Sequence, residues 1–167
     1  AESGVNRFVF VSSIGVNGSS TKIGIPFNET TEPAPTGEYA NSKFEAENSL
    51  KKISEETGME IVIIRPPLVY GPGAKGKFAK LVRVIVDEWP LPFGAIQNKR
   101  SLVAVENLVD FIRVCAQHRA AANQTFLISD GRDVSISELA IGLAIAARVR
   151  IRLLPVPERI IRAIGYV

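Results

Sequence analysis

The chain has 167 residues, of which 46% are hydrophobic and 22% charged, and its formal net charge at pH 7 is +3. These values are typical of one globular domain with a sizeable core, and because the basic residues are scattered they argue against nucleic-acid binding. The single cysteine and single histidine exclude an internal disulfide and a metal site built from several such ligands, and no apolar stretch reaches the ~18 residues of a membrane span.

A buried strand is the first predicted element, at residues 7–11. Its sequence, Arg-Phe-Val-Phe-Val, is almost continuously apolar, as in the strands of parallel sheets. Ser12 and Ser13 follow it directly and open a loop rich in glycine, asparagine and serine. In open α/β sheets, functional groups collect just beyond the carboxyl ends of strands, although ordinary turn chemistry also explains paired serines.

A long helix is predicted over 37–57, with Thr36 as its cap and Gly58 at its end. Tyr39 and Lys43 lie four residues apart in its first two turns, so their side chains share one face. A nearby ammonium favours the phenolate, and lowering a tyrosine pKa from ~10 by ~3 units requires about 4 kcal/mol. Such a pair can move a proton on or off a hydroxyl, although the spacing alone is more typical of a solvated helix face.

A second buried strand is predicted at 60–65 and ends at Pro66-Pro67, which cannot donate the hydrogen bonds of a sheet. The residues that follow, 68–73, are predicted to form a loop. Strand, long helix and strand at this length form the βαβ pattern of a parallel sheet. The segment 135–138 (Ser-Ile-Ser-Glu) has the form of a capping box at the start of a helix. Further helices are predicted at 78–89, 106–118, 139–149 and after Pro157, and further strands at 102–105, 125–129 and 151–154.

Five stretches of this chain follow one another in a characteristic order: Phe8-Val9-Phe10-Val11-Ser12-Ser13, Tyr39-Ala40-Asn41-Ser42-Lys43, Arg65-Pro66-Pro67-Leu68-Val69-Tyr70-Gly71-Pro72-Gly73, Arg100-Ser101-Leu102-Val103 and Phe126-Leu127-Ile128-Ser129-Asp130-Gly131. Together they resemble the extended short-chain dehydrogenase/reductases, and among these the NAD-dependent epimerase/dehydratase family. The resemblance implies an α/β fold with a partial Rossmann-like parallel sheet and a small C-terminal substrate-binding α/β region. Residues 1–71 would be the C-terminal half of a dinucleotide-binding domain, and 72–167 mainly a nucleotide-sugar-binding region, with a helix–strand unit at about 104–130 returning to the main sheet.

The resemblance implies a role for each matching residue around the chemistry. Tyr39 would be the general acid/base acting on the sugar hydroxyl. Lys43 would lower the tyrosine pKa and bind the nicotinamide ribose. Ser13 would hydrogen-bond the reacting oxygen of the substrate, with Ser12 as the nearby alternative and part of the cofactor site. The backbone from Pro66 to Leu68 would line the nicotinamide of NAD.

On the substrate side, the resemblance assigns four residues and no metal. Arg100 matches an arginine that pairs with the nucleotide diphosphate, which suits its fork of donors, although a surface salt bridge is the alternative. Phe93 lies where the family packs the nucleotide base, and a core phenylalanine would show the same pattern. Lys77 stands where the family often has an asparagine, and Phe78 follows it.

The implied activity is that of an NAD-dependent nucleotide-sugar 4-epimerase, which converts a UDP-hexose through a transient 4-keto sugar. Net dehydrogenation or 4-keto reduction by the same residues is the closest alternative. Dehydration is disfavoured, because Ile14-Gly15 stand where the family's dehydratases carry Asp-Glu. Leu68 replaces an asparagine that many epimerases use to hold substrate. The motif Arg-Pro-Pro-Leu resembles that of a bacterial subgroup linked to surface-polysaccharide sugars.

The sequence contains no Gly-x-x-Gly-x-x-Gly turn after a strand, the motif that places a dinucleotide pyrophosphate on a helix N-terminus. We therefore expect a C-terminal fragment of a longer enzyme, folded but inactive by itself. A non-catalytic folded fragment and an unrelated α/β binding module are the alternatives. We expect a cytoplasmic setting, no nucleic-acid or membrane partner, and a homodimer or self-association through exposed strand edges.

Overall fold

The structure is a computed structural model that describes residues 4–22, 24–74 and 76–163. Its strands are β1 (Arg7–Val11), β2 (Glu60–Arg65), β3 (Leu68–Tyr70), β4 (Leu102–Ala104) and β5 (Thr125–Leu127). Its helices are α1 (Glu38–Thr57), α2 (Gly76–Val86), α3 (Val105–Gln117), α4 (Ile136–Ala147) and α5 (Glu158–Ala163), with short 3-10 helices at Ile14–Val16 and Arg119–Ala121. The prediction of an α/β fold with a parallel sheet is confirmed.

The described residues form two compact units. The first contains the described residues up to Val69 together with Val103–Asp130, and the second contains Tyr70–Leu102 and the described residues from Gly131 onward. The helix–strand segment of α3 and β5 thus belongs to the first unit although it follows much of the second in sequence.

A parallel sheet of order β1-β2-β5 forms the centre of the first unit. The register runs from Arg7 opposite Glu60 to Val11 opposite Ile64, and β5 pairs with the end of β2. Strand β2 lies between the other two, and five of its six residues are buried. Fully burying a side chain such as that of Ile64 stabilises the fold by about 1.5–3 kcal/mol. Six buried residues form this core: Val62, Ile64, Val103, Leu108, Cys115 and Ala121.

Arg7 joins three elements at the amino-terminal end of this sheet. Its Nε donates to Glu60 Oε2 at 2.6 Å, and its Nη1 donates to the carbonyl oxygens of Cys115 and His118, both at 2.8 Å. The start of β1 is thereby tied to the start of β2 and to the end of α3. Burial raises the pKa of the neighbouring Cys115 thiol, and the positive charge of Arg7 opposes this only in part.

The second unit has its own core where α2 packs on α4, and its buried members are Ile85, Leu91, Ala140 and Ala144. The backbone of 91–94 runs beside 152–154, and a Cβ at Gly94 would lie 3.0 Å from the Leu154 carbonyl oxygen. Only glycine therefore fits at position 94 without moving the backbone.

The predicted capping box begins α4 as expected. Ser135 Oγ accepts from the Glu138 amide at 3.0 Å, while Glu138 Oε2 accepts from the Ser135 amide at 2.6 Å and from Lys99 Nζ at 3.1 Å. The Ser135 backbone hydrogen bond first, and Lys99 second, lower the pKa of Glu138 from 4.5 to about 2.

Three local predictions were wrong. Leu68–Tyr70, expected to be a loop after the proline pair, is strand β3, because the chain regains its amide donors immediately after Pro67. The segment 151–154 makes only a single bridge, between Leu91 and Leu153. Thr36 does not cap α1, since Gly37 takes the N-cap position with φ of 85°, a conformation that favours glycine.

Because the folded-state pKa of Glu138 lies below the unfolded value, its contribution to stability is present above pH 4.5 and is lost as the pH falls toward 2. We expect a carbon-13 NMR titration to give a pKa of about 2 for this carboxyl. Lys99→Met raises this pKa while leaving it below 4.5, since the Ser135 amide still donates. Lys80→Met, which removes an equal charge from an exposed site on α2, leaves it unchanged. A wild-type pKa near 4.5 would contradict this arrangement.

Candidate functional site

Helix α1 presents Tyr39 and Lys43 on one face of its first two turns. The Tyr39 side chain is 65% exposed, so its hydroxyl is open to a ligand. The Lys43 ammonium nitrogen lies 5.9 Å from the centroid of the Tyr39 ring and 4.8 Å from that of Phe10 on β1. The structure therefore brings together the tyrosine and lysine that the sequence singled out.

The Lys43 side chain is anchored at the end of β1. Its Nζ donates to the Val11 carbonyl oxygen at 3.0 Å. A lysine ammonium has three N–H donors, so this hydrogen bond leaves two for a ligand. The position of the charge is thus fixed by the backbone, and its remaining donors stay available beside Tyr39.

Ser13 is the N-cap of the 3-10 helix that follows β1, and its Oγ accepts from the Gly15 amide at 3.1 Å. A hydroxyl that accepts in this way still carries a proton to donate. A Cβ at Gly15 would lie 3.3 Å from Ser13 Oγ and 3.5 Å from the Ala40 Cβ. The loop that carries Ser13 therefore packs closely against Ala40, the neighbour of Tyr39.

The two serines after β1 have different environments. Ser12 is 3% exposed, and its hydroxyl donates to Glu47 Oε1 at 2.5 Å. Ser13 is only half-buried. Of the two, Ser13 is the one whose hydroxyl can reach a bound molecule, while Ser12 is engaged inside the protein.

Pro66 and Leu68 follow β2 in the same unit. The Pro66 carbonyl oxygen accepts from the Ile14 amide at 3.0 Å, so the loop after β2 is joined to the loop that carries Ser13. Pro66 is buried, whereas Leu68 is 38% exposed at the start of β3. Ser13, Tyr39, Lys43 and these two residues all belong to the first unit.

Sequence reasoning missed a buried polar network behind these residues. Glu47 and Arg65 form an ion pair with an N–O distance of 2.6 Å and side-chain exposures of 0% and 3%. Arg65 Nη1 also donates to Asn17 Oδ1 at 3.0 Å. Two signals pointed to this network: Arg65 ends the apolar run of β2 and is followed directly by the proline pair, and Glu47 lies one helical turn beyond Lys43.

Arg100 belongs to the second unit and is exposed. Its backbone makes two hydrogen bonds with Val134, at 2.9 and 3.0 Å, so its position is defined. Among the residues that the structure describes, its guanidinium has no hydrogen-bond or ion-pair partner, so the surface salt bridge considered from the sequence is not formed with them. Both of its neighbours are engaged with acidic side chains: Lys99 with Glu138 and Ser101 with Asp133.

The resemblance also assigns Phe93, Phe78 and Lys77 to the substrate side, and all three belong to the second unit. Phe93 packs partly buried against the core cluster of that unit, and its carbonyl oxygen accepts from Ser137 Oγ. Phe78 is 7% exposed and lines an open groove of about 320 Å³ between α2 and the turn at 71–74. Lys77 lies in α2, but its side chain is outside the described part of the structure.

Neither a metal centre nor a membrane span is found in the described ranges. No cluster of three or more His, Cys, Asp or Glu side chains there could hold a metal ion. None of the helices in that part of the chain is both long and apolar enough to cross a membrane.

Comparison with known proteins gives a consistent result. Residues 1–129 match the model of the NAD-dependent epimerase/dehydratase family. The chain is 53% identical over 157 residues to a UDP-glucose 4-epimerase of Vibrio cholerae, an alignment that covers 93% of this chain and 48% of that protein. The chain thus spans about half the length of the curated relatives it matches.

Two solved structures have the same fold over nearly the whole chain. A UDP-glucose 4-epimerase with UDP-glucose from Thermotoga maritima superposes with a TM-score of 0.77 at 25% identity, covering 94% of this chain and 53% of that one. A UDP-glucose 4-epimerase of Thermus thermophilus in complex with NAD gives a TM-score of 0.77 at 21% identity, covering 99% and 60%.

Proposed function

The chain belongs to the NAD-dependent epimerase/dehydratase family, and we propose that it carries the catalytic residues of a nucleotide-sugar 4-epimerase acting on a UDP-hexose. The observation that carries the proposal is the shared face of α1, where an exposed Tyr39 stands beside the backbone-anchored ammonium of Lys43. The 53% identity to a UDP-glucose 4-epimerase supports this choice within the family.

The proposed chemistry moves one proton and one hydride. Tyr39 accepts the proton of the C4 hydroxyl as the carbinol is oxidised, and returns a proton when the ketone is reduced from the opposite face. Ser13 donates a hydrogen bond to the C4 oxygen and holds it near the phenol. The positive charge of the Lys43 ammonium stabilises the Tyr39 phenolate, which is the form that accepts the proton. When bound next to Lys43 and the Pro66 to Leu68 backbone, NAD would supply the acceptor and donor of the hydride, so no net oxidation would result.

The nicotinamide end of NAD fits the residues present in the first unit. Lys43 has two unused donors for ribose hydroxyls, and the backbone of Pro66 to Leu68 lies on the same side of the sheet as the Ser13 loop, to which it is hydrogen-bonded. The Gly-x-x-Gly-x-x-Gly motif that holds the pyrophosphate in this family is not in the sequence. We therefore propose that the 167 residues alone do not turn over substrate, and that turnover belongs to the product of the complete reading frame containing them.

On the substrate side we propose that Arg100 pairs with the diphosphate of the UDP-hexose, with Phe78, Phe93 and Lys77 near the nucleotide. Arg100 is exposed, held by its backbone and without a partner among the described residues, which suits a guanidinium that receives an anionic ligand. Phe93 also packs against the core of its unit, so its substitution would affect both folding and binding.

The biological setting is also part of the proposal. The Arg-Pro-Pro-Leu motif at 65–68 supports a bacterial enzyme that supplies sugars for surface polysaccharides. A cytoplasmic location agrees with a single cysteine held as a buried free thiol.

Replacing Tyr39 with phenylalanine is the first test of the reaction. In the product of the complete reading frame, we expect Tyr39→Phe to lower kcat for UDP-glucose/UDP-galactose interconversion by about 10²- to 10⁴-fold, because proton transfer is lost. The KM for UDP-glucose changes little, since the phenol hydroxyl contributes mainly to the chemical step.

The control is Ser49→Ala, which removes another hydroxyl from α1 at an exposed position and leaves turnover intact. Intact turnover in Tyr39→Phe would contradict the assignment. Net accumulation of NADH by the wild type would favour a dehydrogenase, and consumption of a 4-keto sugar with NADH a reductase.

Replacing Arg100 tests diphosphate binding. We expect Arg100→Met to weaken binding of UDP, measured by calorimetry, by about 10- to 100-fold, since charged hydrogen bonds are worth about 1.5–3 kcal/mol. Arg100→Lys restores only part of this, because an ammonium lacks the bidentate fork. Arg113→Met removes an exposed arginine from α3 and serves as the control with unchanged affinity. Equal UDP affinity in Arg100→Met and the wild type would refute the role.

We also propose that this chain self-associates through the open edge of β1, which is an outer strand of the described sheet and carries an exposed Phe8. Light scattering of the 167-residue chain is expected to show a dimer, and Phe8→Lys to shift it toward monomer. Val114→Lys adds the same charge at an exposed apolar site on α3 and leaves the dimer unchanged. A monomeric wild type at high concentration would contradict edge pairing.

A further inference from the structure

A network of four polar side chains lies inside the first unit, behind Tyr39 and Lys43. Glu47 is 0% exposed, Asn17 2%, and Ser12 and Arg65 3% each. Arg65 donates from Nε to Glu47 Oε1 at 3.0 Å and from Nη2 to Glu47 Oε2 at 2.6 Å, and Ser12 Oγ donates to the same Oε1 at 2.5 Å. The hydrogen-bonding groups of these side chains are satisfied, and the site is closed to water.

Stability is a poor explanation for this ion pair. Removing two charges from water costs free energy that their attraction only roughly repays, and apolar side chains of similar volume often serve a core as well. A buried ion pair of this kind is better explained by the parts of the structure that it holds in place. The partners of Glu47 lie at the carboxyl ends of β1 and β2, which are the strand ends that carry the proposed catalytic loops.

The spacing of residues on α1 connects the network to Tyr39 and Lys43. Tyr39, Lys43 and Glu47 occupy one face of the helix at successive turns. Lys43 binds the Val11 carbonyl oxygen and Glu47 binds the hydroxyl of Ser12, so consecutive turns of the helix hold the last residue of β1 and the residue that follows it. Ser13 is the next residue after these two.

The second arm of the network reaches the other loop. Arg65 is the last residue of β2 and directly precedes Pro66, whose carbonyl oxygen accepts from the Ile14 amide at 3.0 Å. The ion pair with Glu47 therefore fixes Arg65, the residue from which the Pro66 loop (residues 66–67, between β2 and β3) starts. Asn17, the other partner of this arginine, donates onward to the Asn28 carbonyl oxygen at 3.2 Å and steadies the far end of the Ser13 loop.

We propose that Glu47 is a positioning residue: through Ser12 and Arg65 it holds the Ser13 loop and the Pro66 loop at a fixed distance from Tyr39 and Lys43 on its own helix. This inference rests on the proposed function for its catalytic consequence. Whether Glu47 holds the two loops in place can be measured without an activity assay.

The same two strands provide a matched control at their opposite ends. Arg7 and Glu60 form an ion pair that joins the start of β1 to the start of β2, five residues away from Ser12 and Arg65 along each strand. Its replacement removes a strand-to-strand ion pair without touching the loops after the strands. If both ion pairs act through stability alone, replacing either pair should have similar effects on the loops and on turnover. If Glu47 positions the loops, only replacement of the Glu47–Arg65 pair should change them.

The experiment uses three variants: Ser12→Ala, the double variant Glu47→Leu/Arg65→Met, and the control double variant Arg7→Met/Glu60→Leu. The double variants avoid leaving one buried charge unpaired, and Ser12→Ala keeps the ion pair while cutting its link to β1. Hydrogen exchange of the 167-residue chain is followed by NMR at the Ile14 amide, which bonds Pro66, with the Ile63 amide in the middle of the sheet as reference. Turnover is measured in the product of the complete reading frame, well below each melting temperature.

We expect the Ile14 amide to exchange about five- to tenfold faster in Ser12→Ala than in the wild type, the effect of losing one net hydrogen bond, with Ile63 unchanged. The control leaves the Ile14 rate unchanged relative to Ile63. In the turnover assay, Ser12→Ala and the Glu47/Arg65 variant lower kcat by about 10- to 100-fold, the usual result of misplaced reacting groups. Their KM for UDP-glucose stays within about twofold of the wild type, because the nucleotide contacts lie elsewhere.

Unchanged Ile14 exchange in Ser12→Ala would overturn the proposal, and so would a control that loses kcat as strongly as the Glu47/Arg65 variant. A wild type without epimerase activity would refute the proposed function alone. In that case the exchange comparison still decides whether Glu47 holds the two loops.

Discussion

The buried ion pair between Glu47 and Arg65 joins helix α1 to the end of strand β2 in the first unit. It is almost fully excluded from water, and removing one partner of such a pair usually costs about 3–5 kcal/mol because the other charge stays buried. Helix α1 contacts β2, and we propose that this pair sets the orientation of the first turns of the helix. The exposed Tyr39 and the half-buried Lys43 would then be surface groups positioned by an interaction in the interior.

The two units divide the candidate residues by their chemistry. The groups suited to proton transfer, Ser13, Tyr39 and Lys43, belong to the unit with the parallel sheet, and Phe93 and Arg100 to the other. The first set is held by strand ends and a buried network, which are difficult to change without unfolding. In the second set, Arg100 is exposed and held by backbone hydrogen bonds, so its side chain can change with little effect on packing, whereas Phe93 also contributes to the core of its unit.

The sequence predicted the regular elements of the first unit best. Strands β1 and β2 have the bounds expected from their apolar runs, since β2 stops where two prolines interrupt the hydrogen bonding, and α1 ends at the glycine chosen for it. Strand β3 was missed because the two prolines predict a loop, whereas the three residues after them form a strand that pairs with β4. Glu47 was missed for another reason: an acidic residue on a long helix is ordinarily solvated, and only the buried arginine at the end of β2 indicates a buried partner. Helical periodicity does not report which charges face each other.

The anchoring of Lys43 has a consequence for protein engineering. Its partner is a main-chain oxygen of Val11, an atom that every amino acid supplies equally. Substitution at position 11 can alter packing, but it cannot delete the acceptor that orients the ammonium. The hydrogen bond that anchors Lys43 is therefore independent of which side chain stands at position 11. A library that varies residue 11 would thus sample new side-chain volumes while keeping the acceptor that holds the ammonium, which an anchor through a side chain would not allow.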